Sequence, residues 1–160
     1  NKSKTPKISS KSVIANNKIE ITDKKYKNVN YGIQLLGEYR SKKKGNIPKG
    51  DYRVYGVQVY GNEITLKNAS YGIWLNGTGK IRVNNMQVPK KASGKSGGTA
   101  VRVISSKGSR INGNTIINTS KNKNKKLYRG IELIGKKAGS ASGNKFKGFA
   151  KKQQTIKRKS

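Results

Sequence analysis

The chain has 160 residues, and its 37 Lys and Arg against 6 Asp and Glu give a formal net charge of +31. It contains no Cys and no His, which excludes disulfide frameworks, thiolate chemistry and His-based acid–base or metal sites. The length fits a single domain, and no apolar run approaches the roughly 18 residues that a membrane-spanning helix needs. A charge this high favours a polyanionic partner, because like charges repel within a compact chain. The alternative is that the charge serves solubility alone.

Two kinds of short segment alternate along the chain. The first follows the pattern apolar-x-x-Asn-x-apolar, at steps of 45, 22, 30 and 30 residues, and places its Asn at Asn17, Asn62, Asn84, Asn114 and Asn144. The second is a small residue followed by apolar-x-apolar, and it begins at Gly32, Gly72, Ala100 and Gly130. Alternation with a period of two is typical of half-buried strands. Repeats of this length predict stacked coils that together bury an apolar stripe which one coil alone could not bury.

In chain order, the pattern predicts a basic lead-in at 1–11, a repeat domain at 12–149, and a basic tail at 150–160 in which Thr155 starts a further strand. The abrupt start at Asn1 indicates a fragment of a longer protein, continuous with further domains. The coils are expected at 12–36, 54–66, 71–88, 101–118 and 129–148.

Residues 38–52 interrupt the repeat, and we interpret them as an insertion loop. An insertion in a repeat protein maps to one face, which is often the binding face. A neutral surface insertion is the alternative. The basic residues of this loop that we expect to contact a ligand are Arg40, Lys42, Lys43 and Lys44.

Asn at a repeated corner has a physical reason. Its amide can bond to the turn backbone and to the Asn of the next coil, and Asn tolerates a left-handed backbone. A Gly just before the Asn permits a positive φ. The fold class predicted is therefore all-β, a right-handed parallel β-helix (β-solenoid) of about five coils with an Asn corner ladder. A β-sandwich with Asn/Gly turns is the alternative, but the constant order of the two segment types favours the solenoid.

Catalysis is not expected from the acidic residues, because no two of them share a strand face or a repeat position. Glycoside hydrolysis requires two carboxylates that flank one bond. We therefore expect no enzyme activity, no metal and no cofactor. The six acids are Glu20, Asp23, Glu38, Asp51, Glu63 and Glu132.

The best candidate site lies on the strands that begin with the small residue. Their outward position holds Gln34, Trp74, Arg102 and Glu132 in successive repeats. An outward Trp beside an outward Arg suits an acidic sugar, because the ring stacks on CH groups and the guanidinium bonds to a carboxylate or sulfate. Alternatively, the insertion covers Trp74. The remaining predicted ligand-binding residues outside the insertion are Tyr31, Tyr71 and Arg82.

The small-residue strands at Gly32, Gly72 and Gly130 and the Asn corners resemble those of the right-handed parallel β-helix (pectate-lyase-like) superfamily. The Lys-, Asn-, Tyr- and Ser-rich composition without Cys also resembles β-helix regions of cell-surface adhesins of lactobacilli and related Gram-positive bacteria. The resemblance implies an extracellular, cell-surface or cell-wall location and adhesion to host glycans or wall polymers. The catalytic Asp and Arg pattern of the lyases is missing, so their activity is not implied.

We therefore expect a non-catalytic binding module for anionic polysaccharide, such as teichoic acid, a host glycan or a glycosaminoglycan. Nucleic acid is expected to bind only non-specifically, because no element that reads a DNA groove is evident. The alternatives are a structural stalk of a larger adhesin or phage fibre, and an inactive remnant of a polysaccharide lyase.

Overall fold

The regular elements in the described residues are almost all β-strands, as a computed structural model shows. The residues that the structure describes are 12–21, 30–37, 39–40, 45–46, 49–51, 53–66, 70–84, 87–90, 98–118 and 128–159. In chain order the elements are β1 (Val13–Ala15), β2 (Lys18–Ile21), β3 (Asn30–Leu36), β4 (Tyr39–Arg40), β5 (Gly50–Asp51), β6 (Gln58–Tyr60), β7 (Glu63–Leu66), β8 (Ser70–Asn76), β9 (Arg82–Asn84), β10 (Gln87–Lys90), β11 (Gly98–Ile104), β12 (Arg110–Asn112), β13 (Thr115–Asn118), β14 (Tyr128–Ile134), β15 (Ser140–Ser142), β16 (Lys145–Lys147), α1 (Lys151–Gln154) and β17 (Thr155–Arg158).

Fifteen of these strands form three parallel sheets of five. The first sheet has the order β1-β6-β9-β12-β15, the second β2-β7-β10-β13-β16 and the third β3-β8-β11-β14-β17. The chain passes through the first, second and third sheets in turn, and each round adds one strand to each sheet. The predicted all-β class with repeated strands is confirmed at this level.

The core is one cluster of inward side chains from all three sheets and from the segments just before the first-sheet strands. Register explains why they meet: Val59, Val83 and Ile111 are paired in the first sheet. The third sheet contributes two such rows, one on each side of its outward column. The buried apolar residues are Ile33, Val57, Val59, Ile64, Ile73, Leu75, Ile81, Val83, Ala100, Val101, Val103, Ile111, Ile116, Ile131, Leu133 and Ala138.

Asn residues occupy the corner between the first and second sheets. Asn17 donates from Nδ2 to Oδ1 of Asn62 at 2.8 Å, and Asn114 donates in the same way to Asn144 at 2.9 Å. The residue before each has a positive φ, at Asn16, Gly61, Gly113 and Gly143. The predicted corner chemistry is confirmed at these four Asn positions.

The prediction is wrong at Asn84. This residue pairs in register with Tyr60 and Asn112, so it ends β9 and lies two residues before the corner position. The motif that ends at Asn84 begins at Ile81, whereas the residue in register with Val59 is Val83. Counted from Val83, the sequence reaches Met86, which lies outside the described residues.

The small residue near the start of β3 and of β14 is explained by close packing rather than by backbone conformation. A Cβ on Gly130 would come within 2.4 Å of Cε1 of Phe146 and 2.5 Å of the carbonyl oxygen of Gln154. At Gly32 it would lie 2.7 Å from Cγ2 of Ile64. These strands therefore press against the second sheet, which fixes the position of their outward side chains.

The predicted insertion contains a small antiparallel hairpin, in which Tyr39 of β4 pairs with Asp51 of β5. The two ends of the insertion lie close together: a Cβ on Gly37 would lie 2.6 Å from Cα of Arg53. The side chain of Arg40 and the whole of 42–44 lie outside the described residues, as do 1–11. At the other end of the chain, β17 begins at Thr155 and pairs with β14.

Candidate functional site

The outer face of the third sheet brings the predicted aromatic and charged residues together. Gln34, Trp74, Arg102 and Glu132 form one register column, as predicted from the spacing. A second column on the same sheet contains Tyr31, Tyr71, Thr99 and Arg129. Because parallel strands stack with the same register, residues far apart in sequence become neighbours on this face.

Three aromatic rings pack at one end of this face. The rings of Tyr31 and Tyr71 are stacked with centroids 5.8 Å apart, and the ring of Trp74 meets both edge-on at 4.7 and 4.8 Å. Such edge-to-face pairs add to the stability from burial alone. Burial and the neighbouring Tyr71 raise the pKa of Tyr31, and Arg102 opposes that shift. We call Tyr31, Tyr71 and Trp74 the aromatic cluster.

Arg102 extends across two of these rings. Its Cζ lies 5.2 Å from the ring centroid of Tyr71 and 5.1 Å from that of Trp74, within the range of cation–π attraction. Nη1 also donates a hydrogen bond to the hydroxyl of Tyr71 at 2.5 Å. The side chain of Arg102 remains 26% exposed, so solvent or a ligand can still reach it.

Glu132 is the charge centre of the same face. It is only 1% exposed, and its carboxylate lies 3.0 Å from Arg129, 3.2 Å from Arg158 and 3.8 Å from Arg102. The hydroxyl of Thr99 donates a further bond to it at 3.0 Å. Three guanidinium groups therefore surround one carboxylate, and the four charged groups sum to +2.

Two polar atoms of this face have no hydrogen-bond partner within the described part of the chain. They are Nε1 of Trp74 and Nε of Arg102, both buried at the atom level. The distance from Nε of Arg102 to the Glu132 carboxylate is an ion-pair distance and too long for a hydrogen bond. Both atoms are donors, and both are shielded from solvent in this structure.

Sequence reasoning identified Tyr31, Tyr71, Trp74 and Arg102 but not the role of Glu132. It placed Glu132 in the outward column without recognising it as a buried charge. A usable signal was present, because Arg129 precedes Glu132 by three residues and Arg102 is its column neighbour. The third partner, Arg158, belongs to the next repeat and gave no such signal.

Arg82 does not join this face. It lies on β9 in the first sheet, where it is exposed and pairs in register with Arg110. The insertion residues Arg40 and Lys42–Lys44 remain predictions, since their side chains lie outside the described residues. Coverage of Trp74 by the insertion is likewise untested.

The described residues include no group of three or more His, Cys, Asp or Glu side chains close enough to hold a metal ion. Within the same residues, no helix has the length and apolar character that crossing a bilayer requires. Comparison of the chain with protein-family models, curated proteins and solved structures finds no match.

Proposed function

We propose that the protein is a non-catalytic binding module for anionic polysaccharide, and that it holds an acidic sugar on the outer face of the third sheet. The observation that carries this proposal is Arg102, which lies against two aromatic rings and is still partly exposed. Aromatic ring faces bind the CH groups of sugars, and a guanidinium group binds carboxylates and sulfates through paired hydrogen bonds. One sugar residue that bears an acidic group can use both.

Glu132 supports this role because it positions the arginines while leaving excess charge. A buried carboxylate that faces three guanidinium groups holds them in fixed directions. A positioned arginine loses less conformational entropy when it binds a ligand than a free one does. The face therefore has a net attraction for a second anion, which we infer to be the acidic group of the sugar.

We further propose that the three sheets form a right-handed parallel β-helix of five coils, of the pectate-lyase-like kind. The rotation of the chain through three parallel sheets supports this arrangement. Right-handed crossover is the rule for parallel strands in one sheet. By resemblance to adhesin β-helices, we place the protein at the cell surface or in the cell wall of a Gram-positive bacterium, where anionic glycans and teichoic acids are the available ligands.

A structural role for the same face is the second candidate. The Glu132 network links β11, β14 and β17, and this would suit a stalk that resists unravelling. In that case the arginines would be fully used in holding the strands, and the aromatic cluster would serve packing alone. The two candidates differ in whether Trp74 and Arg102 contribute to glycan affinity.

A glycan array tests the proposal, with the wild type and Trp74→Ala compared at about 0.1 M and about 1 M salt, where the screening length falls from ~10 to ~3 Å. The matched control is Tyr60→Ala, which removes an exposed ring from the first sheet. Arg102→Lys is a second variant, because it keeps the charge but loses the planar fork. Circular dichroism verifies that each variant is folded.

We expect carboxylated and sulfated glycans to bind at low salt and to lose affinity steeply at high salt. Trp74→Ala and Arg102→Lys should each weaken binding by about tenfold, and Tyr60→Ala by less than about twofold. Equal affinity at both salt concentrations would contradict the proposal. Unchanged affinity in both site variants would favour the structural role instead.

A further inference from the structure

A second basic surface lies where the turn between β11 and β12 meets the turn between β14 and β15. The residues that line this depression are Lys107, Gly108, Ser109, Arg110, Lys136, Lys137, Gly139 and Ser140. We call it the basic groove. None of these residues belongs to the third-sheet face, and sequence reasoning did not connect them.

Backbone hydrogen bonds between adjacent turns fix the shape of the groove. The amide of Ser140 donates to the carbonyl of Ser109 at 2.9 Å, and the amide of Lys80 donates to the carbonyl of Lys107 at 2.9 Å. Gly139 has a φ of +84°, and a Cβ there would lie 2.5 Å from the carbonyl oxygen of Ser109. The turns therefore pack closely, and the cationic side chains extend from backbone positions that are already set.

The cations of the groove have no internal counter-charge among the described residues that line it. Lys107, Arg110, Lys136 and Lys137 are all exposed, and no acid is among the lining residues. The strands of the first sheet also contain no Asp or Glu. This differs from the third sheet, where Glu132 partly neutralises the arginines.

The basic surface continues beyond the groove along the first sheet. Arg110 pairs in register with Arg82, and both side chains are exposed. Lys80 is also exposed and lies two residues before Arg82. It approaches the groove, since a Cβ on Gly108 would lie 3.4 Å from Cγ of Lys80. Like charges directly opposite on neighbouring strands are destabilising. An anion that lies along this line would remove that repulsion, so the arrangement favours an extended ligand over a single small ion.

We propose that the basic groove is a second anion-binding site, which takes sulfate or phosphate ester groups of a polysaccharide or polyol-phosphate chain. Lysines act as point charges for tetrahedral oxyanions, and Arg110 adds a fork that can bind two oxygens. No ring lines the groove, so it gives neither the stacking surface that a sugar face uses nor the one that nucleic acid bases use. The ester groups of the chain, rather than its sugar rings or bases, are therefore what the groove recognises.

The test compares two triple variants that remove the same charge. Lys107→Gln, Arg110→Gln and Lys136→Gln together remove the groove, and Lys18→Gln, Lys145→Gln and Lys147→Gln remove three exposed lysines of the second sheet. The probes are a heparin octasaccharide, its desulfated counterpart, a glycerol phosphate oligomer and single-stranded DNA of similar length. Isothermal titration at about 0.15 M salt measures each Kd, and circular dichroism verifies folding.

We expect the groove variant to lose about tenfold or more in affinity for the sulfated and phosphate oligomers, and the control variant less than about threefold. If the groove variant loses more affinity for the sulfated oligomer, the groove prefers sulfate esters. If it loses more affinity for the phosphate oligomer, the groove prefers phosphate esters. An equal loss in both variants would overturn the proposal, because only total charge would matter. DNA that binds the wild type as tightly as heparin, with the same dependence on the groove, would overturn the assignment to polysaccharide.

The two sites can fail independently. If Trp74→Ala leaves the binding of the heparin octasaccharide unchanged while the groove variant loses it, the groove proposal stands and the third-sheet proposal fails. If only Trp74→Ala and Arg102→Lys weaken binding, the groove proposal is overturned.

Discussion

The outer faces of the first and third sheets both contain arginines, but their charges are arranged differently. On the third sheet, Arg102 and Arg129 both approach a buried carboxylate, and Arg102 also lies against two aromatic rings. On the first sheet, Arg82 and Arg110 face each other in register, with no acid on any strand of that sheet. The comparison suggests that one face has a defined geometry for a single acidic group, and that the other presents a line of charge to an extended polyanion.

The comparison also shows what the high net charge does locally. A buried carboxylate with its own guanidinium partners has a structural cost if either side is removed. Exposed like charges on neighbouring strands repel each other in the native protein and lower its stability, and the effect is larger at low salt. Substitutions on the two faces should therefore have opposite effects on stability.

The largest expected effect is that of Glu132→Gln on the third sheet. Loss of the carboxylate leaves three arginines without their buried counter-charge, and we expect the free energy of unfolding to fall by about 3 to 5 kcal/mol. Urea denaturation measures the loss. Glu63→Gln removes the same charge from the second sheet and should cost less than about 1 kcal/mol. Equal losses in the two variants would mean that Glu132 has no special role.

Asn114→Ala tests the corner that holds the first sheet against the second. Asn114 is fully buried and donates to the carbonyl of Val83 at 3.1 Å as well as to Asn144. We expect a loss of about 1 to 3 kcal/mol, because a buried carbonyl loses its partner. The control is Asn17→Ala at an exposed corner, with a smaller loss. A larger loss at Asn17 would contradict the ladder as described.

Arg110→Gln and Arg102→Gln test whether substitutions on the two faces change the free energy of unfolding in opposite directions. We expect Arg110→Gln to raise the free energy of unfolding by about 0.2 to 1 kcal/mol at low salt, because it removes a like-charge pair. The gain should vanish near 1 M salt, where screening is strong. Arg102→Gln should lower stability instead, since it removes a partner of Glu132 and a cation over two rings. A stabilising Arg102→Gln would remove the distinction between the faces.

The smallest expected effect is a pH dependence at Tyr31. Burial and Tyr71 raise its pKa above the ordinary value of about 10. The folded state then favours the protonated phenol, so the stability from Tyr31 is complete below pH ~10 and falls as the pH rises through the raised pKa. Urea denaturation of the wild type and Tyr31→Phe measures it: the difference between them should decrease above pH 10. A difference that stays constant would contradict the raised pKa.

The repeat and the outward column followed from the sequence because parallel strands keep one register. A spacing that recurs therefore places Gln34, Trp74 and Arg102 side by side without any knowledge of the loops. The corner prediction is wrong at Asn84, because the motif also fits when it begins at Ile81. Only the pairing of Val83 with Val59 shows that Asn84 lies two residues before the corner position.

The basic groove and the Glu132 network could not be derived in this way. Lys107 and Lys136 lie in separate turns, each of which reads as an ordinary basic surface segment. The pairing of β11 with β14 and of β12 with β15, together with backbone bonds between the turns, brings them together. Glu132 also pairs with Arg158, whose strand follows a short helix that the repeat pattern does not contain.

The most direct test of the account observes the arginine side chains themselves. Nitrogen-15 spectra of the Nε–H groups, recorded during titration with a heparin octasaccharide at about 0.15 M salt, separate Arg102 on the third sheet from Arg82 and Arg110 on the first. We expect saturable shifts at all three, with the backbone amides of β16 on the second sheet unchanged. Shifts of equal size at β16 and at the arginines, or none at Arg102 and Arg110, would contradict binding through these two faces.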